Sequence, residues 1–490
     1  MSSTTLIRNI SWLVAWDEVN QKHTYIKNGD LVMNGDTILY VGESYTGSAD
    51  YTVDGSNTMV IPGLLSLHTH PWAQLPGKGF YEDMSMMGRL VAGSPEYIFP
   101  LDGDVETMLA ATRVGIAELL KTGCTTFADL STPFPRGNHR DWGDEWLDIL
   151  ANSGIRAYAC PMAREAYWST SNGQDMKWVW DIEAGRKEFE RGLEIIDRAE
   201  RHSSSLLRGM VGIAQVDTAG KDLFRDSYQA ALDREIPFQT HASQALFEVE
   251  EMRKRYDMTP IEWLDSVGAL GPNTLLGHAV YTELHPSTPD CVRRDLELIQ
   301  ERGASVVHCP RSFAEMGDAL HSFGKYQNRG VNIALGTDTM QLNMIEEMRL
   351  ALYLSRVLDS TDDSPSTLDV FNSATINGAK ALLRNDLGRL CGGCRADFSI
   401  VDLTTAEMRP ARDPLRNFVF SANSQSVRDV YVAGTKVVSD RSIVCFDEEE
   451  AIQKLEAGQE RAAKNVPKVH YAGIDADSMA PLSLSVANTQ

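Results

Sequence analysis

Basic residues are scarce in this chain: 46 Lys and Arg stand against 68 Asp and Glu, leaving a formal net charge of -22. A nucleic-acid groove or an anionic membrane surface needs a basic footprint, so neither is an expected partner. A small neutral or cationic molecule fits that charge better. Long apolar runs are missing too, and no stretch approaches the ~20 residues of a membrane span. Cysteine is sparse, seven at irregular spacing in 490 residues. An odd count leaves at least one unpaired, and the pattern indicates reduced thiols rather than a disulfide framework. The first ten residues lack a charged segment leading into an apolar stretch, so no secretory signal is read and a cytoplasmic location is expected. Phosphate-loop and dinucleotide fingerprints are absent.

What is present is ample apolar material, 43% of the chain, arranged in two textures. Residues 5–15, 25–33, 37–42 and 51–60 read as short strands, punctuated by Asn28-Gly29 and Asn34-Gly35. The same texture returns in 396–403 and 427–439, with Gly434 where a hairpin turn would need it. These segments predict one small β unit, a β-sandwich built from both chain ends. Between them, short apolar runs alternate with long amphipathic stretches, the pattern of repeated βα units. Eight runs can be counted, at 64–70, 125–130, 155–160, 210–217, 236–241, 274–278, 304–309 and 331–338. Helical stretches at 105–121, 182–201, 221–234, 245–256, 291–302 and 345–358 lie among them. Eight parallel strands with outer helices predict an α/β fold of the (β/α)8 TIM barrel type. The expected division is 1–60 for the first part of the β domain, 61–384 for the barrel, 385–450 for the second part, and 451–490 for a C-terminal helix and tail. The acidic run at 447–450 suits the first turn of that helix.

His70, His241, His278, His308 and Asp338 each fall at the carboxyl end of a predicted strand, the face where barrel enzymes keep their active sites. The last four are 37, 30 and 30 residues apart, about one βα unit each, so four consecutive strands would bring them together. His68 and His70, two apart on one strand, project from the same side of the pleat. Imidazoles with a carboxylate suit Zn, Fe, Co, Mn or Ni. No cysteine joins the set, as a closed structural zinc site would normally require.

Pro62-Gly63-Leu64, Leu67-His68-Thr69-His70, Thr240-His241, Gly277-His278, His308-Cys309-Pro310, Gly336-Thr337-Asp338 and Gly393-Cys394-Arg395-Ala396-Asp397 occur in order along nearly the whole chain. In this set the chain resembles the metal-dependent amidohydrolase superfamily, most closely the branch of cytosine, guanine and S-adenosylhomocysteine deaminases and triazine hydrolases. The resemblance implies one divalent ion per chain on His68, His70, His241 and Asp338, zinc first, with iron, cobalt or manganese as alternatives. It implies that His278 holds or polarises the attacking water, and that Asp338 takes the proton from it. A bound divalent ion lowers the pKa of a water from about 15.7 to about 7, which is what such chemistry needs.

Three residues after His241 the deaminases carry a glutamate that shuttles a proton; here it is Gln244. An amide cannot do that, which leaves three readings. Gln244 hydrogen-bonds the substrate while Asp338 and His278 carry protons; Glu248 supplies the missing acid; or the leaving group, such as chloride, departs unprotonated. His308 is expected to stabilise developing negative charge. Ser312-Phe313 stands where relatives show Ser-Asn. Two segments break the repeat, 71–101 and 161–180, and should lie over the barrel mouth. Trp72, Gln74, Trp168 and Arg311 are the expected substrate contacts, with packing of a lid or a subunit contact as the other reading of the tryptophans. Cys391-Gly-Gly-Cys394, lacking a second pair, reads as coincidence. The expected activity is hydrolysis of a C–N bond, by an amidohydrolase or deaminase, in a small cyclic or heteroaromatic molecule. The alternatives are a heteroaromatic chlorohydrolase and, in another class, a non-catalytic binding or scaffold relative. A homodimer or higher homo-oligomer is the expected assembly.

Overall fold

The computed structural model describes residues 3–84, 104–134, 140–172, 175–288, 294–339, 341–362, 364–470 and 472–486. Eight parallel strands form the barrel: β1 (Leu64–Thr69), β2 (Cys124–Ser131), β3 (Arg156–Ala163), β4 (Val211–Gln215), β5 (Phe238–Ala242), β6 (Thr274–His278), β7 (Ser305–His308) and β8 (Asn332–Leu335). Each overlaps one of the eight apolar runs, because strands buried on both faces have no polar alternation to blur them. Hydrogen bonding runs in chain order from β1 to β8. The ring closes at the carboxyl ends, where Asp338 N–H donates to His68 O (2.7 Å) and His70 N–H to Asp338 O (2.9 Å). Asp338 adopts φ +53° there, an uncommon conformation for a non-glycine residue.

The outer helices form where the apolar spacing demanded. Val105–Lys121 is capped by Asp104, whose side chain accepts from Thr107 N–H, and Ile182–Glu200 by Asp181. Asp295–Arg302 begins later than expected, the preceding residues 289–293 lying outside the described ones. The long helix Glu448–Val469 starts in the acidic run, with Asp447 as its cap, and packs along Val105–Lys121, tied by Lys121 to Glu448 and Arg461 to Asp104.

A nine-stranded sheet gathers both chain ends: Phe398–Asp402 pairs antiparallel with Thr58–Pro62. Its edge strand Thr37–Gly42 returns to the other end through a bridge from Thr37 to Arg395, folding the sheet over a core of Ile7, Leu31, Ile38, Phe398 and Tyr431. The sequence suggested a single strand over 51–60, but there are two, Tyr51–Asp54 and Thr58–Pro62. Asp54 accepts from Ser56 N–H and Asn57 takes φ +59°, so an Asx turn interrupts the run. Both pieces then pair with the same long strand, Thr4–Asp17, one after the other. The Trp-rich segment is also more regular than expected, a hairpin of Ala166–Ser169 and Lys177–Trp180.

Candidate metal centre and active site

His68 and His70 leave β1 on the same side, and His241 arrives from β5. Their three Nε2 atoms converge: His70 Nε2 lies 3.2 Å from His68 Nε2 and 3.2 Å from His241 Nε2. Asp338 Oδ1 stands 3.7 Å from His68 Nε2 and 3.6 Å from His70 Nε2. Each imidazole is turned by a bond at its far nitrogen. His70 Nδ1 donates to Leu130 O (2.9 Å) and His241 Nδ1 to Ala214 O (2.6 Å), while His68 Nδ1 donates to Gln239 Oε1 (2.7 Å). The Gln239 amide has its orientation set in turn, because its Nε2 donates to Leu67 O (2.8 Å).

With all three protons on Nδ1, three Nε2 lone pairs and a carboxylate oxygen face one another with no hydrogen to share. Nitrogen ligands ~2.0–2.1 Å from a tetrahedral ion would be about 3.3–3.4 Å apart, so the spacing fits a cation. Burial holds His68, His241 and His278 well below the ordinary imidazole range and lowers His70, so the donors are neutral and ready to ligate. Two glycines make room. A Cβ on Gly277 would stand 2.7 Å from His68 Cε1, and one on Gly336 would stand 2.7 Å from His68 Cβ.

Gln239 was not foreseen. Its signal was in the sequence, since Gln239-Thr240-His241 repeats the alternation of His68-Thr69-His70 and so puts Gln239 and His241 on one side of β5. Gln239→Leu is expected to weaken metal affinity about 10–100-fold with the fold intact, measured by titration against a chelator. Unchanged affinity would mean that His68 needs no orienting partner.

His278, at φ +80°, lies beside this group, its Nε2 4.0 Å from Asp338 Oδ2. Phe313 packs edge-on against its ring at 5.0 Å, which gives the Ser312-Phe313 departure a physical consequence: an apolar wall beside His278. His278 Nδ1, His308 Nδ1 and Gln244 Nε2 are buried without hydrogen-bond partners among the described residues. Burial pushes His308 down to about 3, so it too is neutral.

Glu248 is fully buried, and its carboxylate accepts from Ser243 N–H (2.9 Å) and Gln244 N–H (2.8 Å). Both oxygens thus brace the loop that carries Gln244. Trp168 and Trp178 donate their indole N–H groups to Asp217 Oδ2 (2.8 and 2.7 Å), pinning the hairpin beside the Gln244 loop. Burial pushes Asp217 up to about 6. Trp72 donates to Leu130 O (3.3 Å), the carbonyl that also orients His70. The Arg311 guanidinium is taken up by Glu315 (2.7 Å), Glu346 (3.0 Å) and Gln341. Gln74 ends a short helical turn, Pro71–Gln74, but its side chain lies outside the described residues, as does 85–101 of the first mouth segment.

A sequence model of the amidohydrolase family matches residues 59–437. The 5'-deoxyadenosine deaminase of Methanosphaera stadtmanae is 27% identical over 444 residues, 89% of this chain and 96% of that one. Among solved structures, an adenosine deaminase from Xanthomonas campestris with bound zinc superposes with a TM-score of 0.79 at 21% identity, covering 94% of this chain and 98% of that one. The atrazine chlorohydrolase of Arthrobacter aurescens complexed with zinc gives a TM-score of 0.78 at 22% identity, covering 93% and 100%.

Proposed function

The chain belongs to the amidohydrolase family and is a hydrolase of carbon–nitrogen bonds other than peptide bonds; within that class we propose a deaminase-type reaction on a small cyclic or heteroaromatic molecule. The observation that carries the reading is the convergence of three oriented Nε2 atoms, those of His68 and His241 each 3.2 Å from that of His70, with a carboxylate beside them at a barrel mouth. His68, His70, His241 and Asp338 would hold one divalent ion, and zinc is proposed because relatives of this fold bind it. A bound ion there supplies Lewis acidity, lowering the pKa of a water to about 7. Asp338 accepts the proton from the attacking water and passes it to the leaving nitrogen, helped by His278 within 4.0 Å. The buried amide of Gln244 donates to an acceptor on the substrate, a carbonyl oxygen or ring nitrogen, and His308 faces the developing negative charge.

Elemental analysis beside ammonia- and chloride-release assays tests this, over adenosine-type nucleosides, aminated and chlorinated triazines and cyclic amides. About one ion per chain with ammonia release supports the proposal. Chloride release without ammonia moves the assignment to a chlorohydrolase, the alternative that Gln244 leaves open. Lack of turnover by metal-loaded protein across the panel overturns both.

Gln244→Glu is expected to lower kcat/KM about 10-fold, the worth of one hydrogen bond to substrate. A gain in ammonia release would instead mean that a missing proton shuttle limits the rate. The apo-protein should also respond to acid. The imidazoles have folded pKa values below the unfolded ~6.5, so each makes stability fall as pH drops through that value, by up to ~1.4 kcal/mol per pH unit, while the buried carboxyls of Glu248, Glu347 and Asp295, which burial raises, act in the opposite sense. The contribution is read as a difference: His68→Gln should fall less steeply between about pH 6.5 and 5 than the parent apo-protein, and equal slopes would contradict it.

The same proposal includes the division at about residues 60, 384 and 450, supported by which strands belong to which sheet. It includes a cytoplasmic location, supported by the sparse cysteines, and a homo-oligomer, supported by the exposure of Leu482, Leu484 and Val486 near the C-terminal end. Among the described residues no helix is long and apolar enough to cross a membrane.

A further inference from the structure

Cys391-Gly392-Gly393-Cys394 takes no part in the chemistry above, and its geometry is not that of a coincidence. Cys394 N–H donates to Cys391 O at 3.2 Å, making the four residues a β-turn. Gly393, the third residue, has φ +86°, the left-handed conformation that a type II turn requires there. Such a turn keeps its end Cα atoms within 7 Å, and a disulfide spans about 4.4–6.8 Å between Cα atoms. The side chains take up that opportunity: the two Sγ atoms are 3.1 Å apart. Both cysteines are buried while Gly392 and Gly393 between them are exposed, so the turn lies at the surface with its thiols just beneath. Among the described residues every other cysteine stands without a second thiol at this distance.

We propose that Cys391 and Cys394 form a thiol-oxidation site that closes to an intramolecular disulfide by exchange with a small external disulfide of the glutathione class. The Cys391 thiolate attacks one sulfur of the external disulfide, whose S–S bond breaks and releases one thiolate. The Cys394 thiolate then attacks the Cys391 sulfur of the mixed disulfide, releasing the second. The protein dithiol is oxidised, the external disulfide is reduced to two thiols, and the two protons leave with them. Cys391 is the attacking sulfur, since the Cys394 thiol hydrogen-bonds to it and holds it below the ordinary thiol range, with the Arg389 charge helping, while Cys394 is pushed up.

The position gives the bond a consequence. This turn is the seam between the two chain ends: Gly393 N–H donates to Ile38 O (2.8 Å), Ile38 N–H to Cys394 O (2.8 Å), Trp16 N–H to Leu390 O (2.9 Å) and Ala396 N–H to Asp36 O (2.8 Å). Oxidation would staple the C-terminal side of that seam without touching a barrel-mouth residue.

Arg389 and Arg395 bracket the site, so trypsin releases both cysteines in a single peptide, residues 390–395. After incubation of the folded, full-length protein with glutathione disulfide and alkylation, that peptide is expected to be two hydrogens lighter, unalkylated and restored by reductant. Closure is expected about 10-fold or more faster in folded than in urea-unfolded protein, because the turn holds the sulfurs together. Cys391→Ser and Cys394→Ser should each abolish the mass loss. A doubly alkylated peptide, a persistent glutathione adduct on either cysteine, or equal closure rates in the two states would overturn the proposal. The inference is independent of the catalytic reading, because mass and alkylation are its only readouts.

Discussion

Asp338→Asn is expected to lower kcat about 10²–10⁴-fold while the barrel stays folded. The amide keeps the volume and one oxygen of the carboxylate. It loses the charge opposite His68 and His70, 3.6–3.7 Å away, and the capacity to take a proton. Metal content should fall as well, since a neutral ligand replaces an anionic one in a buried site. Measuring kcat at saturating added zinc separates the two effects. Activity restored by excess metal would mean that Asp338 only ligates. Activity lost with the ion retained would identify it as the base. Full activity with normal metal content would refute the site assignment outright. Backbone damage is not a concern, because the closing bonds of the ring use the N–H and C=O of residue 338, not its side chain.

Asp397→Ala is expected to cost about 3–5 kcal/mol, the largest stability effect among single substitutions in the seam between the sheets. Asp397 receives Arg156 Nε on Oδ2 (2.9 Å) and Arg156 Nη2 on Oδ1 (3.0 Å), a two-pronged pair with both side chains buried. Oδ1 also accepts from Ala433 N–H (2.7 Å), and the backbone carbonyl accepts from Gly63 N–H (3.0 Å) at the entrance to β1. Removing the carboxylate strands a guanidinium on β3 away from water. Urea denaturation should show the loss, and Arg156→Met combined with Asp397→Leu should recover much of it, because two apolar side chains leave no unpaired charge. If Asp397→Ala were as stable as the parent, the pair would be an ornament of the seam and not a fastening.

Both predictions rest on residues that the sequence exposes unequally. Asp338 could be singled out by its place at a strand end, one βα unit after His308. Asp397 was visible only as part of a motif, because Arg156 is 241 residues away and nothing local announces the pairing. The tryptophans behave similarly. Trp168 was expected to line a pocket or pack a lid, and the bond of its N–H to Asp217 is one that neither residue's neighbours in sequence could reveal. Glu248 was a reasonable candidate acid on helical spacing from Gln244. Its carboxylate turns back to the backbone N–H groups of Ser243 and Gln244, in the loop just before its own helix. Phe313 was legible only as a departure, and its effect, an apolar wall against His278, needed the two loops brought side by side.

The eight strands, the order of the outer helices, the two-ended β unit and the converging histidines and aspartate were all determined by the sequence itself. Those features follow from apolar periodicity and from residue type at strand ends, which are local properties repeated along the chain. The tertiary structure alone decided which nitrogen of each imidazole faces inward, that Gln239 orients His68, that Glu248 is a brace, and that two cysteines share a turn with their sulfurs in contact. Each of these depends on a hydrogen bond or a steric approach between atoms that chain spacing does not specify, often across more than a hundred residues, and such bonds are set by packing rather than by period.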